Sequence, residues 1–264
     1  MSLARRASAE LTGTALLVAA IVGSGIAATR LAPHDPGVQL LGNAAATALA
    51  LGALILALGP VSGAHLNPVV SIADWWLGRR SGTGLCARDL AAYASAQTVG
   101  AIGGAILANL MFALPAVSRA ATVRQGAPLW LAETVATAGL LLLVAALVRT
   151  GRTSRTSAAP AAVGAYVGAA YWWTSSTGFA NPAVTIGRMF SDSFAGITAG
   201  SVPGFVAAQL LGGLIALAAI AWWFPHPRPG DHRRGAEPAD GDLLTRSTHR
   251  PRQATTHRAP GADT

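Results

Sequence analysis

The stretch "GFANPAVTIGR", Gly178 to Arg188, repeats the plan of an earlier one, "GAHLNPVVSIAD", Gly63 to Asp74. Each opens a short apolar segment on Asn-Pro, and each segment lasts only about ten residues before polar or charged text, Asn67 to Trp76 and Asn181 to Phe190. Asn at an N-cap followed by Pro at the first helical position is a helix start, because the Asn oxygen accepts backbone N–H bonds and Pro lacks a donor that would be left over. A helix of this length covers roughly 15 Å, about half the hydrocarbon thickness of a bilayer. The two segments are therefore expected as half-helices, capped by Asn67 and Asn181 with Pro68 and Pro182 at their starts.

The rest of the chain supplies the membrane. Of 264 residues, 52% are hydrophobic and only 11% charged, and the mean hydropathy is +0.45. This balance lies far from that of a soluble domain and predicts an integral membrane protein with the lipid bilayer as its partner. Six runs approach the roughly 20 apolar residues that a span requires. They cover about Ala7 to Ala28, Val38 to Leu58, Asp89 to Leu114, Leu129 to Val148, Ala158 to Trp173 and Ser201 to Trp223. The predicted fold class is all-α: six transmembrane helices plus two re-entrant half-helices.

Three spans plus one half-helix form a unit that occurs twice, over about 7–114 and 129–223. "AELTGTALLV", Ala9 to Val18, matches "AETVATAGLL", Ala132 to Leu141, and each precedes its Asn-Pro segment by some fifty residues. An odd number of spans per unit forces the second copy to be inverted in the membrane. The channel domain is thus expected over 1–224, with the two Asn-Pro starts meeting near the midplane.

Charge distribution gives orientation. All 19 basic residues are arginine, and a pI near 11.3 would suggest nucleic acid in a soluble chain. Here the arginines flank apolar runs, which is topology information, and no nucleic-acid partner is expected. Arg5, Arg6, Arg79, Arg80, Arg88, Arg149, Arg152 and Arg155 fall on one side, against Arg30, Arg119, Arg124 and Arg188 on the other. Eight against four places both termini in the cytoplasm of a multi-pass cell-membrane protein. Arg5 and Arg6 lead into a run long enough to span, without a cleavage site after it. The segment 225–264, rich in Pro, Gly and charge with seven further arginines, has no apolar period and reads as a disordered cytoplasmic tail. Its histidines read as solvated. Cys86 alone excludes an intrachain disulfide framework, and a lone cysteine reads as an apolar filler. No cofactor or metal is expected. The pairs Trp75-Trp76 and Trp222-Trp223 fit interfacial belts.

Two helix N-termini facing one another at the midplane create a positive barrier, repelling cations and offering donors to the oxygens of neutral solutes. Non-helical backbone at that depth requires a water-filled cavity or burial in protein. The duplicated motif therefore predicts a pore for small uncharged solutes, with a constriction at Asn67, Pro68, Val69, Asn181, Pro182 and Ala183.

"SGAHLNPVV", "FANPAVT", "AELTGT" and the six-plus-two plan, from about Ala7 to Trp223, resemble the major intrinsic protein family of aquaporins and aquaglyceroporins. The resemblance implies a homotetramer with one pore per subunit and passive flow, without an enzymatic activity. Two departures stand out. Val69 replaces the family's usual Ala, and Val184 occupies the position where the family places a filter arginine. Counting from the Asn residues puts the outer filter at Thr47, Ala169, Gly178 and Val184, a wide and mostly apolar set, with Tyr171, Trp172 and Trp173 close by as an apolar wall. Val after Asn-Pro-Ala and "SDSFAGI", Ser191 to Ile197, are similar to the bacterial branch associated with arsenic resistance. The implied solutes are trivalent metalloid hydroxides and glycerol-like polyols, with water as companion; an ordinary water channel or glycerol facilitator is the alternative.

Other residues carry two readings each. Glu10 and Glu133, at matched repeat positions, read as anchors of the half-helix loops rather than a proton relay. His65 reads as a loop support rather than a metal ligand. Arg188, one turn beyond Val184 on the same face, reads as a vestibule residue or as an arginine reaching the interface or Asp192. A coupled transporter would need an acidic ion site, and an enzyme a spaced dyad or triad; neither pattern is present.

Overall fold

The computed structural model describes residues 1–79, 82–149 and 158–223. The expected tail over 225–264 lies outside the described residues, as do Arg80, Arg152 and Arg155. The described chain runs α1 (Leu3–Leu31), α2 (Pro36–Ser62), α3 (Pro68–Gly78), α4 (Ala87–Met111), α5 (Ala127–Arg149), α6 (Ala158–Trp173), α7 (Pro182–Gly187) and α8 (Val202–Trp223). No strand occurs among the described residues. The order of two long helices, a half-helix and a long helix therefore occurs twice, as α1 to α4 and as α5 to α8.

Among the described residues, five helical stretches are long and apolar enough to cross a membrane: α1, α2, α4, α5 and Ala199–Trp223, which includes α8. Helix α6 has 16 described residues, about 24 Å at the usual rise. Helix α3 has 11 residues, while α7 has six and continues as a 3-10 turn over Arg188–Phe190. The second half-helix is thus shorter as an α-helix than the sequence suggests, and its outer portion winds more tightly.

Small residues let the long helices approach. A Cβ added to Gly100 or Gly104 of α4 would strike the carbonyl oxygens of Leu11 and Ala15 of α1, and one on Gly212 of α8 would strike that of Thr134 of α5. The two halves thus use the same device at corresponding places. Such close backbone approach by small residues is how helices associate in a bilayer, where lipid is as apolar as leucine and burial alone supplies little attraction. Helix α2 keeps Leu41, Leu49 and Leu56 exposed on the outside of the bundle, as expected of a face turned to lipid or to a neighbouring subunit. Cys86, read from sequence as an apolar filler, is exposed at the start of α4.

Candidate pore and its two mouths

Each half-helix begins where the sequence places it. The Asn67 side-chain oxygen accepts from the Val69 amide at 2.9 Å, and that of Asn181 from Ala183 and Val184 at 3.0 and 3.2 Å. The loops before them carry left-handed residues: Gly63, Ala64 and Leu66 in the first, Thr177, Gly178 and Ala180 in the second. Such a conformation is unfavourable for residues other than glycine and persists only where the surroundings hold it.

The glutamates do the holding. Glu10 accepts through Oε1 from the Ser62 hydroxyl (2.6 Å) and the His65 amide (3.0 Å), and through Oε2 from the Leu66 amide and the Gln97 side chain (both 2.7 Å). Glu133 accepts from the Ser176 hydroxyl (2.6 Å), the Phe179 and Ala180 amides (both 2.8 Å) and the Gln209 side chain (2.7 Å). Gln97 then reaches Ser71 at 3.1 Å, and Gln209 reaches Thr185 at 2.9 Å. Both carboxylates are fully buried, and both oxygens of each are occupied by donors. Four donors per carboxylate fix two loop amides in place and satisfy both carboxylate oxygens, while the side-chain oxygens of Gln97 and Gln209 are buried without a partner.

With the amides turned toward the glutamates, the loop carbonyls face the opposite half-helix. Asn67 Nδ2 donates to the Ala180 carbonyl and Asn181 Nδ2 to the Leu66 carbonyl, each at 2.7 Å. One hydrogen of each amide thus ties the two loops together. Ala183 is fully buried. Val69 instead belongs to an apolar cluster with Ala73, Leu141, Ala145, Ala216 and Ile220. A Cβ added to Gly213 of α8 would stand 2.8 Å from Val69 Cγ1. The larger residue after Asn67-Pro68 is therefore received by a bare glycine.

At the α7 mouth the four positions counted from the sequence do not form one set. Ala169 lies on the exposed side of α6. The α6 residue that meets Thr47 is Tyr171, whose buried hydroxyl stands 3.1 Å from Thr47 Oγ1. The helical period explains the difference, since two residues turn the side chain about 200° around the axis. Gly178 is left-handed and abuts Ala170. Val184 is buried in the main apolar cluster. Trp172 and Trp173 are about half exposed and turn outward.

Two guanidinium groups occupy this mouth. Arg188 is 2% exposed, its Nε donates to the Ala195 carbonyl, and its Cζ lies 3.4 Å from the centroid of the Phe179 ring. It neither extends outward to the interface nor pairs with Asp192, whose carboxylate accepts from the Ala121 amide. Arg124, in the connection between α4 and α5, stands 5.3 Å from the same ring. Its Nε and Nη2 donate to the carbonyls of Gly196 (2.9 Å) and Phe194 (3.2 Å). Burial pulls the Arg124 guanidinium below its ordinary pKa, with Tyr171 and Glu133 opposing the shift. Phe179 also meets Phe205 edge-on at 5.2 Å.

The α3 mouth is built differently. Arg6 and Asp89 form an ion pair at 2.5 Å, Arg6 lies over Tyr93, and Tyr93 meets His65 edge-on at 5.5 Å. His65 Nδ1 lies 3.1 Å from Ser71 Oγ. No cluster of three or more metal-ligating side chains occurs among the described residues.

Sequence reasoning missed Ser62, Ser176, Gln97, Gln209, Phe179 and the role of Tyr171. Four of these carried a signal. The serines both stand five residues before their Asn, and the glutamines share the text Ala-Gln-x-x-Gly in "AQTVG" and "AQLLG".

Comparison with known proteins agrees with this fold. The family model described as major intrinsic protein matches residues 1–180. The aquaglyceroporin AqpS of Rhizobium meliloti (strain 1021) is 48% identical over 227 residues, covering 86% of this chain and 93% of that protein. The probable aquaporin AqpM of Archaeoglobus fulgidus is 30% identical over 247 residues, covering 85% and 97%. Among solved structures, the aquaglyceroporin from Plasmodium falciparum aligns with a TM-score of 0.61 at 21% identity, over 83% of this chain and 96% of that one.

Proposed function

This chain belongs to the major intrinsic protein family and is a multi-pass membrane channel for small solutes, not an enzyme; from that premise we propose that it passes glycerol-like polyols and trivalent metalloid hydroxides, with water as companion. The observation that carries this reading is Val184. An apolar side chain stands on the first turn of α7, where the family resemblance leads one to expect an arginine that narrows the filter. Its removal widens the passage for a solute of glycerol size, and trihydroxy arsenic(III) is uncharged and of similar size. The relative AqpS is named an aquaglyceroporin, which supports the polyol side of the reading.

Two features serve exclusion and guidance. The N-termini of α3 and α7 meet head to head, so their partial positive charges repel cations, while each Asn amide keeps one hydrogen for a passing oxygen. Thr47 and Tyr171 supply hydroxyls at the α7 mouth, and Arg188 stands in the same vestibule. The protein works as a homotetramer in the cell membrane, with both termini cytoplasmic and the α7 mouth outside. Glu10, Glu133 and His65 support the loops and take no part in a proton relay.

A second reading, a water channel, is favoured by the Thr47–Tyr171 contact, which spans the mouth with polar groups. Stopped-flow light scattering on proteoliposomes separates the two by comparing water, glycerol and trihydroxy arsenic(III) with empty vesicles and with Val184→Arg. Fast solute flux that the substitution suppresses more than water flux supports the wide channel. Fast water flux with both solutes excluded replaces it with the water channel, and equal loss of all three removes Val184 from the filter.

A further inference from the structure

The α7 mouth holds more positive charge than the passage of neutral solutes requires. Arg188 is nine-tenths buried and more, yet its only hydrogen bond among the described residues is from Nε to the Ala195 carbonyl. Neither of its terminal nitrogens is among the fully enclosed side-chain atoms that lack a partner. They therefore keep a little accessible surface at an otherwise closed site. Arg124 brings a second guanidinium toward the same ring, with Nη1 uncommitted.

Neither forms an ion pair with a carboxylate among the described residues, although the buried Glu133 acts on Arg124 from a distance. The one ion pair among the described residues is Arg6–Asp89, at the other mouth. Glu133 already receives four donors, and Asp192 receives the Ala121 amide. A buried charge without a partner is costly, and buried charges are ordinarily paired. The stack on Phe179 offsets part of that cost through cation–π attraction but does not cancel the charge. Tyr171 adds a hydroxyl that can donate once Thr47 accepts nothing from it.

We propose that Arg188 and Arg124, both set against the Phe179 ring, form a seat for a small carboxylate monoanion at this mouth. The guanidinium fork matches the two oxygens of a carboxylate, which a spherical halide does not. An anion held there stands beside the entrance and slows neutral solutes. The placement of the seat at the entrance rests on the channel reading above; the binding itself does not.

The experiment uses the full chain and acetate as probe, against chloride at equal ionic strength and against acetamide, its neutral isostere. Thermal unfolding of the purified protein reads binding, since a ligand held by the folded state alone raises the midpoint. Glycerol-driven swelling of proteoliposomes, with each probe on both sides of the membrane, reads the effect on flux. Acetate is expected to raise the midpoint and slow swelling where chloride and acetamide do neither. Arg188→Gln or Arg124→Gln is expected to weaken the acetate midpoint response about tenfold in concentration. An equal response to chloride overturns the carboxylate class, and an equal response to acetamide overturns the charge requirement. No midpoint response in the unsubstituted protein overturns the seat, even if one variant fails to fold. Absence of glycerol flux alongside a retained acetate midpoint response overturns the channel substrate instead, leaving the seat standing.

Discussion

The side-chain amide of Asn67 donates to the backbone carbonyl of Ala180 at 2.7 Å. The reciprocal bond from Asn181 to Leu66 has the same length, so each asparagine caps its own half-helix with its oxygen and clasps the other with its nitrogen. Removing either side chain takes away a cap and a clasp together. Asn181→Ala is expected to destabilise the fold by about 2–3 kcal/mol, read as a lower thermal midpoint in detergent. Asn181→Asp keeps the cap, loses the donor and adds a negative charge at the barrier. It is expected to assemble and to raise cation conductance in planar bilayers; unchanged conductance in an assembled variant counts against the midplane barrier.

Glu10→Gln and Glu133→Gln test the loop anchors. An amide nitrogen must then face donors, leaving buried N–H groups unmatched at a cost of about 1–3 kcal/mol each. Both variants are expected to lower the thermal midpoint by comparable amounts. A normal midpoint with lost flux would instead assign the glutamates to transport.

Val69 and Gly213 form a size-matched pair. Gly213→Ala alone is expected to lower stability by about 1–3 kcal/mol through overpacking, and Val69→Ala in the same chain to restore much of it. A double-mutant cycle of thermal midpoints reads the coupling; strict additivity would show that the two side chains do not meet.

Tyr171→Phe removes the hydroxyl that stands near Thr47. If that group guides polyols, glycerol permeability is expected to fall about fivefold relative to water, the worth of about one hydrogen bond. Stopped-flow light scattering gives the ratio, and an unchanged ratio removes Tyr171 from the solute path.

Much of this was legible because the duplication appears as text. Asn-Pro at the two starts, the matched glutamates and the apolar run lengths follow local rules of capping, spacing and bilayer thickness, so the sequence by itself determined six long helices, two half-helices and their anchors. The α7 mouth obeyed no such rule. Counting along the chain chose Ala169, but the rotation of α6 presents Tyr171 to Thr47, and a rotation is set by what the helix packs against. Arg188 was legible as a charge near the filter, with the interface or Asp192 as its alternative partners. Only the tertiary structure placed it on Phe179 beside Arg124, because those contacts bring the α4–α5 connection onto the two ends of the α7 segment, and their meeting depends on how the whole bundle closes.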